Sequence, residues 1–212
     1  MTPAEANHSL DQISLKQWRE LAASGQRHLA LQGVQIQANV VPYDPWPRVI
    51  DGADWDSLCA GITQRHRAIN CFVADVYSRQ LILQDGVIAR EEIEGSPLWQ
   101  SDLHGLFPAD HCWCLINGLD LIGGSHQGWR VLEDNLRRVG GHGYAVRIRE
   151  ASLAAGLPKP PSHSRRPVQP GLQLLRQALH QLCPHRDDPR IVLLTPSAIS
   201  TEISEHRFLA AA

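Results

Sequence analysis

The sequence predicts an α+β protein, and three patterns carry that prediction. Apolar residues recur at helical spacing in long segments. Two adjacent apolar segments are joined by a glycine-bearing hinge of the kind an antiparallel hairpin needs, and a short, continuous apolar run near residue 192 reads as the opening strand of an α/β unit. The 212 residues, 43% of them hydrophobic, suffice to bury a core in one or two domains.

Taken in order, Ser14 can cap a short helix with Leu15, Trp18, Leu21 and Ala22 on one face, ending near Gly25. Residues Val34 to Val40 alternate with period two and predict a strand, which Pro42, Pro45 and Pro47 then break. A strong helix is expected from Asp54 to Tyr77, with Leu58, Ile62, Ile69, Phe72, Val73 and Val76 on its apolar face and Arg65, Arg67 and Asp75 on its polar one. Asp85-Gly86 reads as a turn between Leu81-Ile82-Leu83 and Val87-Ile88. Cys112–Ile122 and Trp129–Leu136 predict a hairpin turning at His126 and Gln127. After the glycine cluster Gly140-Gly141-His142-Gly143, Tyr144–Ile148 reads as another short strand. The Pro-, Ser- and Arg-rich stretch from Pro158 to Pro170 marks a linker, followed by a helix striped with Leu172, Leu175, Leu179 and Leu182. Finally, Arg190–Thr195 predicts a buried parallel strand.

Composition narrows the function classes. The formal net charge is −2, so no clustered positive excess argues for nucleic acid or an anionic membrane. Neither a bilayer-length apolar run nor a basic n-region with an apolar stretch behind it is visible, and a cytoplasmic location is the resulting expectation. The five cysteines are scattered and odd in number, which suits a reducing compartment better than a disulfide framework. Cys112 and Cys114, beside His111 and His104, lack a second pair at zinc-ligand spacing and read as core cysteines.

The most informative chemistry lies between Asp120 and Asn135. Residues two apart on a strand share a face, so Glu133 and Asn135 point the same way, and a turn at His126 and Gln127 sets Asp120 opposite Glu133. Leu119, Leu121 and Leu132 would then face the core. Spacing alone leaves two readings open: a solvated polar face, or three hard oxygen donors for a Mg²⁺ ion. Arg137 lies one further step along, where a guanidinium can meet a phosphoryl group. The Gly140–Gly143 run reads either as a backbone cradle for phosphate or as a flexible loop.

The order Asp120, glycine-bearing loop, Leu132-Glu133-Asp134-Asn135 resembles the metal hairpin of ATP-grasp ligases. The wider text resembles the circularly permuted ATP-grasp type 2 family, related in fold to glutathionylspermidine synthase. The matches include Pro42–Ile50, Gln64–Asn70, Asp75-Val76-Tyr77, Asp85–Ile88, Gly118–Leu121, Val131–Arg137, Gly141 with Tyr144, Arg149, Leu193–Pro196 and Glu205–Ala210. The chain departs from the family's pattern at Val139-Gly140-Gly141, at Arg147-Ile148-Arg149, at Gly123 and at Ser197.

The resemblance implies an antiparallel ATP-grasp catalytic half followed by the beginning of a Rossmann-like unit. Its divisions would be an N-terminal element at residues 1–50, a metal-binding subdomain at 51–150, a linker and helix at 151–188, and the start of the Rossmann-like unit at 189–212. It further implies ATP and Mg²⁺ as cofactors, with Asp120, Glu133 and Asn135 as metal ligands. Arg137 would contact the phosphates, Arg149 would join it in catalysis, and Gly141 and Tyr144 would lie in a loop near the substrate and cofactor. The substrates would be a small-molecule or peptide carboxylate and an amine. A family member runs to about twice this length, so the chain is expected to be truncated or completed by a separately encoded second half. The competing expectation is a non-catalytic remnant or binding module that keeps part of the fold.

Overall fold

The computed structural model describes residues 8, 10–36, 39–108, 112–124, 128–137, 139–158, 166–168, 170–196, 200 and 202–212. The chain divides into two compact units, one formed by Met1–Asp51 with Gly140–Ala212 and the other by Gly52–Val139.

In the first unit, helix α1 (Leu15–Leu31) begins in a full capping box. The Ser14 hydroxyl accepts from the Gln17 amide, and the Gln17 side chain accepts from the Ser14 amide. The helix does not stop at Gly25 as the sequence predicts. Gly25 is buried mid-helix against the Tyr43 ring, which occupies the space a Cβ would need. The true terminator is Gly33, whose φ of +65° places it in the left-handed region beyond the C-cap Gln32. The single strand expected at Val34–Val40 is instead two short strands, β1 (Gln35–Ile36) and β2 (Asn39–Val40), paired antiparallel; Gln37 and Ala38 lie outside the described residues.

The second expected strand in this unit, Tyr144–Ile148, is helical and belongs to α5 (His142–Ala154). The reason lies outside the local sequence. The buried carboxylate of Glu205, in α7 (Ile203–Ala211), accepts from the amides of Gly141, Gly143 and Tyr144 at 3.0–3.1 Å and so satisfies the donors that open a helix. Leu29, Val34, Val41 and Ala151 form the buried core, with Tyr43, Tyr144 and Ile148 packed against it. Helix α6 spans Pro170–Gln181, with Leu172, Leu175 and Leu179 half-buried and Leu182 exposed beyond its end. Most of the Pro-rich linker lies outside the described residues.

Residues 191–194 depart most from expectation. They adopt no strand, make no backbone hydrogen bond among the described residues, and leave Ile191, Val192, Leu193 and Leu194 between 43% and 88% exposed. A parallel strand takes its order from neighbours on both edges and cover on both faces, and none is present among the described residues.

The second unit is built on α2 (Gly52–Val76), which buries Leu58 and Val76. Asp85-Gly86 turns the chain, with Gly86 at φ +69°; the run before it is helical, α3 (Leu81–Gln84), while Val87 and Ile88 lie in a bend ahead of α4 (Arg90–Glu94). The Asp75 carboxylate explains α3, since it accepts from the amides of Leu81 and Ile82 at 3.0 and 2.9 Å and caps the turn. Tyr77 is stacked between Trp99 and Trp113, with ring centroids 4.6 and 5.0 Å away.

The unit's sheet is the hairpin β3 (Gly118–Gly124) with β4 (Gly128–Asn135). Asp120 pairs with Glu133 and Leu121 with Val131, which leaves Leu132 as an extra, bulged residue. Leu132 is 63% exposed, so its expected place in the core is wrong: the bulge takes it out of the alternation that Leu119 and Leu121 follow. The loop residues His126 and Gln127 lie outside the described residues.

Candidate functional site

The register of the hairpin sets Asp120 directly across from Glu133, and Gly118 across from Asn135. Alternation puts Asp120, Glu133 and Asn135 on one face. The Asn135 amide nitrogen donates to Glu133 Oε1 at 3.3 Å, which ties the two together. Asp120 and Glu133 are exposed, and neither has a basic partner among the described residues. No group of three or more His, Cys, Asp or Glu side chains at metal-binding distances occurs among the described residues; the hairpin set consists of two acids and one carboxamide.

Asp134, between Glu133 and Asn135, faces the opposite way. Arg65 of α2 donates to both its oxygens, with Nε at 2.9 Å from each and Nη2 closing the fork. Asn117 adds an amide donor at 3.0 Å. These bonds hold the Asp134 carboxyl below its usual range and push the Arg65 guanidinium higher still. Arg65 was expected only to face solvent; its role is to fasten β4 to the long helix.

A second fastening was not anticipated at all. Asn70 Oδ1 accepts from the amides of Trp113 and Cys114 at 2.9 Å, and its Nδ2 donates to the Cys114 carbonyl at 3.1 Å. It thereby pins the chain that enters β3. Its place in the family-like run Gln64–Asn70, which also holds Arg65, is the sequence signal that could have drawn attention to it. Cys114 is buried, its thiol donates to the Ile116 carbonyl at 3.0 Å, and burial raises its pKa.

The remaining expected site residues fall elsewhere. The strand stops at Asn135, so Arg137 stands exposed in a bend beyond it and the alternation does not carry that far. Gly141 and Tyr144 belong to the other unit, where they are the N-cap and first turn of α5. The Tyr144 hydroxyl donates to the Gln35 carbonyl at 3.1 Å, and burial foremost raises its pKa. Arg149 donates to the Arg166 carbonyl at 2.7 Å. The Gly140–Gly143 run is not an open anion cradle, because the Glu205 carboxylate already fills it. Ser197 and His111 lie outside the described residues.

No helix among the described residues is long and apolar enough to cross a membrane. The family described as circularly permuted ATP-grasp type 2 matches residues 47–212. An uncharacterized protein of Synechocystis is 36% identical over 183 residues, covering 84% of this chain and 37% of the relative. One of Mycobacterium tuberculosis is 35% identical over 176 residues, covering 82% of this chain and 32% of the relative. A Frankia casuarinae protein provisionally named glutamate–cysteine ligase 2-2 is 32% identical over 173 residues, covering 80% of this chain and 20% of the relative. The chain thus spans about a third of the first two relatives and a fifth of the other. With the match extending over most of its length and including both strands of the hairpin, the chain belongs to the circularly permuted ATP-grasp type 2 family.

Proposed function

We propose that this chain is the metal-holding part of an ATP- and Mg²⁺-dependent ligase that joins a carboxylate to an amine. Further polypeptide, continuous with it or separately encoded, supplies the nucleotide-binding part. The observation that carries the reading is the Asp120–Glu133 pair. Like charges directly opposite in an antiparallel ladder repel, and these two face each other, with the Asn135 carboxamide hydrogen-bonded to Glu133. A divalent cation offsets that repulsion.

The donor set fits such an ion: two carboxylates and a carboxamide oxygen, without sulfur or imidazole, suit Mg²⁺. Asn135 presents its Oδ1 to the same space when its amide group turns over. Bound there, Mg²⁺ would neutralise triphosphate charge as it develops during phosphoryl transfer. The reaction class is phosphorylation of a carboxylate oxygen by ATP with loss of ADP. An amine nitrogen then attacks the acyl carbon, inorganic phosphate leaves and the nitrogen gives up a proton. Asp120, Glu133 and Asn135 orient the metal face, and Arg137 is placed by family resemblance to meet phosphate oxygens. Gly141, Tyr144 and Arg149 are carried by resemblance alone. The ligase name of the Frankia relative is of this reaction class.

The test supplies this chain with the polypeptide corresponding to the uncovered part of the Synechocystis relative and measures Mg²⁺-dependent ATP turnover. Turnover is expected in the mixture and should fall by at least about 100-fold in Glu133→Ala. A mixture that binds no Mg²⁺-nucleotide, or a Glu133→Ala variant that turns over normally, overturns the proposal. The former result favours the second reading, a binding module without turnover, for which the unpaired apolar run at residues 191–194 is the supporting observation.

A further inference from the structure

The pair Glu133 and Asn135 brackets a residue that points the other way, and that residue is gripped. Asp134 receives three donors from two elements: Arg65 Nε and Nη2 from α2, and Asn117 Nδ2 from the chain entering β3. An aspartate on a solvated strand end needs no such set. Immediately before Glu133, the ladder is interrupted by the extra residue Leu132, and a bulge bends and twists its strand. Immediately after Asn135 the strand ends. The two residues that face the candidate metal thus sit on a stretch of strand with a kink at one side and a free end at the other.

We propose that Arg65 is a positioning residue for the hairpin's metal face, acting through Asp134 to fix the direction in which Glu133 and Asn135 project. The inference rests on the metal reading given above. A planar guanidinium suits the task because its fork engages both carboxylate oxygens and fixes angle as well as distance, whereas a lysine ammonium fixes distance alone. Outer contacts of this kind set ligand orientation, and their loss weakens metal binding by about 10–100-fold. The second anchor, Asn70, holds the approach to β3 from the same helix two residues short of two further turns, so both strands are referenced to α2.

The experiment measures Mn²⁺ binding by electron paramagnetic resonance in the full chain, supplied with the complementing polypeptide. It compares the native protein with Glu133→Ala, Arg65→Ala, Arg65→Lys and Asp134→Asn, and records hydrogen exchange of the β3–β4 amides in each. The expected result is Mn²⁺ dissociation constants raised about tenfold in Arg65→Ala and Asp134→Asn, with Arg65→Lys failing to restore the native value. Faster exchange confined to residues 133–135 should accompany it, at unchanged global melting temperature. Native-like Mn²⁺ affinity in Arg65→Ala, while Glu133→Ala loses binding, overturns the positioning role and leaves the metal reading standing. Native protein that binds no Mn²⁺ overturns both. Arg65→Lys that binds as tightly as the native protein overturns the claim that the fork matters.

Discussion

Tyr144 illustrates how one side chain can be read as a ligand and built as a strut. Its ring packs on the core around Leu29 and Val41, while its hydroxyl reaches the Gln35 carbonyl, with the Ser204 hydroxyl 3.4 Å away. Burial makes the phenolate costly, and the acids Glu205 and Glu202 add to the cost. The phenol should therefore ionise at higher pH than an exposed tyrosine. Since its folded pKa lies above the unfolded value of about 10, its contribution to stability is complete below that value. It is lost as pH rises through the folded pKa. Spectrophotometric titration of the native chain against Tyr144→Phe checks this; an absorbance step missing from Tyr144→Phe but centred at the ordinary phenol value would contradict it. The motif drew attention to this residue, but its hydrogen bond to Gln35 spans 109 positions and has no local signature.

At the scale of elements, helix α1 and the hairpin each contain a residue whose effect on stability departs from its local reading. Gly25→Ala in a free helix would gain up to about 1 kcal/mol. Here the added methyl meets the Tyr43 ring, whose hydroxyl donates to Ser152 at 3.0 Å, and overpacking costs about 1–3 kcal/mol. The net expectation is a destabilised protein, readable as a lower urea midpoint; a raised midpoint would show that Tyr43 swings aside freely. Leu132 is the converse. A core leucine truncated to a small polar residue loses roughly 2–5 kcal/mol, whereas an exposed one on a bulge should stay within about 0.5 kcal/mol. Leu132→Ser tests that difference directly. Helix periodicity located α2 closely, and the apolar segment Trp129–Leu136 located β4, whereas only the second half of Cys112–Ile122 is strand, since β3 begins at Gly118. Tyr144–Ile148 was misread as a strand because its form is decided by the distant cap Glu205.

At the scale of the molecule, what stands out is apolar surface without cover. Residues 191–194 present four consecutive exposed aliphatic side chains and make no backbone hydrogen bond among the described residues, the combination that templates strand addition. The chain should self-associate with rising concentration, and Leu194→Lys should shift it toward the monomer in light scattering; an unaltered size distribution would place the sticky surface elsewhere. The sequence made this run legible as a strand candidate, since its composition matches strands buried on both faces. What it could not convey is that no partner strand lies among the described residues. The pairing of Asp120 with Glu133 was readable from the sequence, whereas the bulge at Leu132 that shifts the rest of the ladder was not.

One consequence of the Glu205 carboxylate remains. It reaches back 64 positions to the Gly141 amide, inside a wall so close that a methyl on Gly143 would collide with it and with Phe208. The last helix therefore works as a stopper for the mouth of α5. Clipping the chain just upstream of Ile203 would leave three backbone donors bare far from the cut, and a negatively charged solute could then bind where the protein's own acid had been.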